Sequence, residues 1–206
     1  MRARFITLEG IDGAGKSSHL EFIRAWLGAR KIEAVFTREP GGTALGEALR
    51  ALLLAPATQV SLESETLLMF ASRQEHILQV IAPALERGHW VVSDRFSDAS
   101  FAYQGAGRGV PAERIQVLAD WVQQGLEPDL TFLFDVDPAV AQQRMAANRE
   151  LDRFELEHAA FHQRVRQAYL ERAALTPRFC VLDSSRELAV IQQDIARRLT
   201  ALMEAD

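Results

Sequence analysis

Eight residues near the amino end, Gly10-Ile11-Asp12-Gly13-Ala14-Gly15-Lys16-Ser17, have the types and spacing of a phosphate-binding loop. The glycines let the backbone curl until successive N–H groups point at phosphate oxygens. Lys16 brings a point charge to the outer phosphates, Ser17 offers a hydroxyl to Mg²⁺, and Ser18 continues the cradle. The apolar run Phe5-Ile6-Thr7-Leu8 precedes the loop and an amphipathic helical pattern follows it, which is the strand-to-helix setting such a loop requires. The chemistry implied is the binding of a nucleoside triphosphate.

Further groups with chemical potential close later apolar runs: Thr37-Arg38-Glu39-Pro40-Gly41-Gly42, Ser93-Asp94-Arg95, Asp135-Val136-Asp137 and Asp183-Ser184-Ser185. Asp94 reads as a carboxylate for Mg²⁺ and Asp135 is its rival; Arg95 favours Asp94, because it would clamp a phosphate beside the metal. Arg38 and Arg95 then form two forks for a second phosphate facing the first ligand. Phe70 and Arg73 share a helix face, and Ser100, Tyr103 and Gln104 share another if 98–104 is helical. Together they make a base pocket in which Phe70 stacks, Arg73, Ser100 and Gln104 read polar edges, and Tyr103 packs near the sugar. Taken singly, Phe70 and Tyr103 are ordinary core residues. The charged segment 142–155 carries Arg144, Arg149 and Arg153 and reads as a lid that brings positive charge over a transferring group and excludes water from it. The bland alternative is a solvated helix face with Arg149 paired to Asp152 or Arg153 to Glu150.

The elements needed to hold these groups are legible. Strands are predicted near 3–9, 33–37, 89–94, 130–135 and 179–183, and helices near 16–30, 45–54, 65–87, 112–125, 138–148, 155–175 and 187–203. The alternation predicts an α/β fold around a mainly parallel sheet, whose ligands lie at the carboxyl ends of the strands. In 65–87 the residues Leu67, Phe70, Gln74, Ile77, Leu78, Ile81 and Leu85 recur at helical steps and read mostly as core, with Pro83 bending or shortening the helix. Asp137 followed by Pro138 reads as a capped helix start. The chain has 206 residues, of which 48% are hydrophobic and 25% charged, which predicts one domain with a substantial core. A net charge of −5 argues against a general nucleic-acid or anionic-membrane binder. The single cysteine, Cys180, lies in an apolar run and reads as a buried strand residue in a reducing compartment. With no long apolar segment and nothing like a signal peptide, the expected location is the cytoplasm.

In this order, Glu9–Ser17, Thr37–Thr43, Leu68–Arg73, Asp94–Phe96, Ser100–Gly105, Pro128–Thr131 and Leu151–Glu155 resemble the thymidylate kinases across nearly the whole chain. The resemblance implies a P-loop kinase fold, the nucleoside monophosphate kinase type of P-loop NTPase, with five parallel strands in the order 2-3-1-4-5, ATP and Mg²⁺ as cofactors, dTMP as acceptor and a homodimer. It further implies Asp12 near the 3′-hydroxyl region of dTMP, and Arg38 and Arg95 at its phosphate. Glu39 joins that substrate site, Phe70 lies on the thymine, Arg73 at its O4, and Ser100 and Gln104 along the base edge. Tyr103 stands where a ribose 2′-hydroxyl would collide. Adenine falls between Arg144 and the loop after Asp183. The P-loop carries Asp12 but no arginine at its variable positions, so the likeness is to the bacterial type whose lid supplies arginine, here Arg149 and Arg153 acting with Lys16 and Arg95. Arg149 stands where relatives carry glycine, which leaves open which lid arginine dominates.

Two other readings compete. A deoxynucleoside kinase would need a carboxylate base in the acceptor pocket, for which Glu39 is available. A GTPase-like switch would need an Asn-Lys-x-Asp guanine reader, which is absent from the sequence.

Overall fold

A computed structural model describes residues 2–145 and 152–205. Its centre is a five-stranded parallel sheet in the order β2-β3-β1-β4-β5. The strands are β1 (Phe5–Glu9), β2 (Ala34–Arg38), β3 (Trp90–Asp94), β4 (Leu130–Asp135) and β5 (Phe179–Asp183). Every residue of β1 is buried. A central parallel strand with both faces covered needs such a continuous apolar run. The edge strand β5 is covered less completely, and Cys180, expected to be buried, is only half-buried beside exposed Val181.

The helices are α1 (Lys16–Ala29), α2 (Ala44–Leu54), α3 (Leu62–His76), α4 (Ala82–Glu86), α5 (Ser97–Ser100), α6 (Ala112–Gln123), α7 (Pro138–Met145), α8 (Ala159–Leu175) and α9 (Leu188–Glu204). Asp137 accepts the Ala139 N–H at 2.8 Å, so the capped start of α7 forms as its sequence predicts. α3 passes into a π-helical stretch, Ile77–Ile81, before α4, and the Ala82 N–H reaches back to the Ile77 carbonyl. This wide turn just ahead of Pro83 absorbs the proline's missing N–H without breaking the rod. Phe70, Ile77 and Ile81 are buried, whereas Leu67 and Leu78, expected in the core, lie more than half exposed.

A second wide-turn stretch, Phe101–Gly107, continues α5, so 98–104 is helical throughout. In the register Arg38 pairs with Asp94, Leu8 with Asp94, Glu9 with Leu133 and Asp135 with Asp183. The polar groups that end the strands therefore share one edge of the sheet, where α/β sheets bind ligands.

Candidate active site

The turn from β1 into α1 is built for close approach. Gly10 has φ 136°, and a Cβ there would stand 2.5 Å from the Phe134 carbonyl oxygen. Gly13 has φ 79°, and α7 presses its Ala141 carbonyl against the loop so closely that a side chain would collide. Only glycine meets both demands. Lys16 Nζ donates to the carbonyls of Gly10 and Ile11, each at 3.1 Å, and lies 3.8 Å from the Asp12 carboxylate. Burial holds its ammonium pKa below the ordinary 10.5, and the charge of Arg95 pushes the same way. An anion in the loop would relieve both.

Ser17 lies in the first turn of α1 and shares a groove with Asp94 and Arg38. Asp94 Oδ1 is buried with no hydrogen-bond partner. Asp135, its rival as a metal carboxylate, is engaged by both arms of Arg166 at 2.6 and 2.9 Å. Of the two, only Asp94 has an oxygen in reserve beside the serine hydroxyl.

In front of the loop a cavity is lined by Asp12, Arg50, Met69, Arg73, Arg95, Tyr103 and Gln104 among others. Arg95 follows β3 in the left-handed region, φ 72°, a conformation that costs energy in any residue but glycine. That backbone aims its guanidinium back over the sheet edge, where Nη2 reaches Asp12 at 2.8 Å and the Tyr103 hydroxyl at 2.9 Å, and Nη1 reaches the Tyr169 hydroxyl at 3.2 Å. Burial by itself would raise the Asp12 pKa, but Arg95 and Lys16 outweigh it and hold the carboxyl far below its usual range. Beneath them Glu9 is fully buried, accepting from the Phe96 N–H and the Tyr169 hydroxyl, each at 2.8 Å. Burial, helped by the charge of Asp98, pushes its pKa up to about 8.

Arg38 and Arg95 leave adjacent strands, but their side chains part. Arg38 is exposed, bound to Glu47 at 2.8 Å, and faces the groove of Ser17 and Asp94 rather than the cavity wall. The second cavity-lining guanidinium belongs to Arg50, whose Nη1 donates to the Pro40 carbonyl at 2.9 Å. Burial lowers the Arg50 pKa, and the charges of Arg38 and Arg95 lower it further. Arg50 and Arg95 together present two guanidiniums to an anion in the cavity.

At the far end Arg73 is buried, with Nε on Glu39 at 2.7 Å and Nη2 on the Phe96 carbonyl at 3.1 Å and Ser100 Oγ at 3.0 Å. Its Nη1 has no partner. Glu39 in turn bonds His76 Nδ1 at 2.9 Å, and His76 Nε2 meets Thr37 Oγ1 at 2.6 Å. Burial would raise the Glu39 pKa; Arg73 and His76 overcome it and lower the value. Phe70 does not line the cavity. It is buried with Ile115 and Ala119 under the Arg73 guanidinium, and its neighbour Met69 forms the apolar wall.

Asp152 and Phe154 line the cavity from the lid side. Arg153 is tied down there, with Nε on the Leu53 carbonyl at 2.8 Å and Nη2 on Glu65 at 2.6 Å. Arg149 lies outside the described residues. Arg144 donates to the Ser184 carbonyl at 2.9 Å and reaches the Gly13 carbonyl at 3.5 Å, which brings it, the phosphate loop and the segment after Asp183 together.

A family model described as thymidylate kinase matches residues 8–195. The chain is 61% identical over 204 residues to "Thymidylate kinase" of Chromobacterium violaceum, covering 98% of this chain and 96% of that protein. It is 57% identical to "Thymidylate kinase" of Cupriavidus necator, covering 98% of this chain and all of the other. The crystal structure of thymidylate kinase from Ehrlichia chaffeensis superposes with a TM-score of 0.78 at 32% identity, covering 97% of this chain and 99% of that one. The chain belongs to the thymidylate kinase family. The family phosphorylates dTMP to dTDP with ATP in dTTP synthesis, and membership makes this chain an ATP-dependent nucleoside monophosphate kinase.

Two residues that line the cavity escape a reading of the sequence. Arg50 looks like a surface charge on an amphipathic helix; the usable signal is that α2 leads directly out of the Thr37–Gly42 cluster. Met69 is overshadowed by the adjacent phenylalanine, because one residue along a helix rotates a side chain by about 100° and periodicity alone does not set the phase. Among the described residues no helix is long and apolar enough to cross a membrane.

Proposed function

We propose that the chain transfers the γ-phosphate by holding two anionic ligands head to head, ATP on residues 10–18 and dTMP in the cavity in front of Lys16. The observation that carries this reading is the pair Arg50 and Arg95, two guanidiniums that line that cavity and face a bound monophosphate there. An oxygen of the dTMP phosphate attacks the γ-phosphorus in line, the bond to the bridging oxygen breaks, and ADP leaves. The acceptor phosphate is ionised at neutral pH, so no protein base is needed and positioning supplies most of the catalysis. Lys16 and Arg95 steady charge on the reacting phosphates, joined by Arg149 from the lid, while Arg153 acts as the lid's anchor on Glu65. Ser17 and the free oxygen of Asp94 suit Mg²⁺, a cation that takes few protein ligands and completes its shell with phosphate and water. When bound it supplies neutralising charge between the outer phosphates.

Arg73, Ser100 and Gln104 face the base and Met69 takes the packing role that its sequence neighbour Phe70 suggests. Asp12 and Tyr103 border the sugar, Glu39 holds Arg73, and Arg144 with the segment after Asp183 borders adenine. The chain acts as one catalytic domain with 142–155 as its lid. It pairs with a second copy through α6 and the rod formed by α3 and its π-helical continuation, where Leu67 and Leu78 on one side and Val117 and Trp121 on the other leave apolar side chains uncovered. One assay tests the whole reading: ADP release with dTMP, dUMP, dCMP, AMP and thymidine as acceptors. Turnover confined chiefly to dTMP is expected; thymidine outpacing dTMP would transfer the chain to the nucleoside kinases.

A further inference from the structure

Glu65 lies on the first turn of α3, 1% exposed, and takes no part in the chemistry described above. Its carboxylate gathers three donors: Gln104 Nε2 at 3.0 Å, Arg108 Nε at 3.3 Å and Arg153 Nη2 at 2.6 Å. Arg108 and Arg153 are themselves mostly buried, so the two guanidiniums keep an anion at this spot. An ionised carboxylate only accepts hydrogen bonds. The Gln104 carboxamide must therefore turn its NH₂ towards Glu65, and its oxygen is left for the cavity that Gln104 lines. Among the described residues that oxygen accepts no hydrogen bond. The nearby lining residue Arg73 has the opposite character, with Nη1 buried and its N–H groups unspent.

The base edge thus meets an acceptor from Gln104 and a donor from Arg73. Thymine and uracil present the complement, an N3–H donor and an O4 acceptor. Cytosine presents the reverse, an N3 acceptor and an amino donor, so it would face oxygen with a lone pair and guanidinium with hydrogens. Without its anionic anchor an amide can flip and present either end.

We propose that Glu65 is a specificity-determining residue, which fixes the direction of the Gln104 amide and thereby restricts the acceptor to bases with a hydrogen at N3. The proposal rests on the reading of this cavity as the acceptor site. Glu65 works through Gln104 and is a positioning residue; it touches no ligand.

The test measures kcat/KM with saturating ATP for dTMP, dCMP and dUMP in the full chain, Glu65→Gln, Gln104→Leu and the double variant. Glu65→Gln is expected to lower the dTMP:dCMP preference at least about ten-fold, since a mismatched buried polar pair is what rejects dCMP. The dTMP:dUMP preference should stay within about two-fold, because both bases carry N3–H. In the Gln104→Leu background the same change should lower the dTMP:dCMP preference no further. A general loosening of the fold would move both ratios together. An unchanged dTMP:dCMP ratio in Glu65→Gln overturns the proposal, and so does a further fall in the double variant. If Glu65→Gln does not fold, Gln104→Leu alone decides: a ten-fold fall supports the mechanism and an unchanged ratio rejects it. Failure of the wild type to phosphorylate dTMP would instead bring down the parent reading.

Discussion

Two clusters of buried arginine and carboxylate pack against the sheet, one at its carboxyl edge around the cavity and one around Asp98 beside the starts of β4 and β5, and they are finished to different degrees. Around Asp98 every valence is used. Its two oxygens take Arg172 Nε at 2.8 Å and Arg178 at 2.7 and 3.1 Å, and Arg178 also meets the Thr131 hydroxyl. Around the cavity the bonding is left open: Arg73 keeps a free Nη1, Asp94 a free oxygen, and Arg95 a left-handed backbone. Buried ion pairs occur in both places and by themselves say little about function, since burial costs charges about as much as pairing returns. Unspent donors and acceptors facing a cavity, together with backbone strain, separate the cluster that binds something from the one that only holds the fold.

The strongest test of that contrast is Lys16→Ala, which should cut kcat by about 10³ while the melting transition stays close to that of the wild type. A melting collapse accompanying normal turnover of the folded fraction would reverse its assignment. Asp98→Asn should do the opposite. Leaving Arg172 and Arg178 without their anion costs about 3–5 kcal/mol in stability, read by urea unfolding, with the KM values of the folded enzyme little changed.

Met69 and Phe70 sharpen the comparison within one helix. Met69→Ala should raise KM for dTMP by about ten-fold and leave KM for ATP alone. Phe70→Leu should cost about 1 kcal/mol of stability and leave both KM values in place. If the two variants exchange these signatures, the cavity wall has been assigned to the wrong residue.

Glu9, which sits between the clusters, adds a dependence on pH. Folded, it keeps its proton up to about pH 8; unfolded, it loses it near its ordinary pKa of 4.5. Between those values the folded state binds more protons, so its contribution to stability falls as pH rises. Glu9→Gln should flatten that slope, and urea midpoints compared at about pH 5 and pH 8 would show it. A variant as steep as the wild type would place the titration elsewhere.

The sheet was readable from sequence because parallel strands buried on both faces must be short apolar runs, and each of the five lies within two residues of its expected place. The strand-to-helix turn that holds Gly10 and Gly13, and the position of Asp94 at the end of β3, were equally legible, since both are local to a loop or a strand end. What escaped depends on phase or on distance along the chain. Leu67 and Leu78 fall on the outward side of the rod, where a shift of phase against the buried Phe70 and Ile77 is enough to expose them, and β5 lies at an edge, which leaves Cys180 half-covered. Arg153 looked like a phosphate-facing lid arginine, yet its Nη2 lies on Glu65, 88 positions away in the chain. No local pattern announces such a partner.

Calorimetric titration of wild type and Arg95→Ala with dTMP and with thymidine isolates the phosphate-reading role of the arginines in front of the donor loop. Arg95→Ala should weaken dTMP by about 100-fold and leave thymidine nearly unchanged. Equal losses for both ligands would contradict that role.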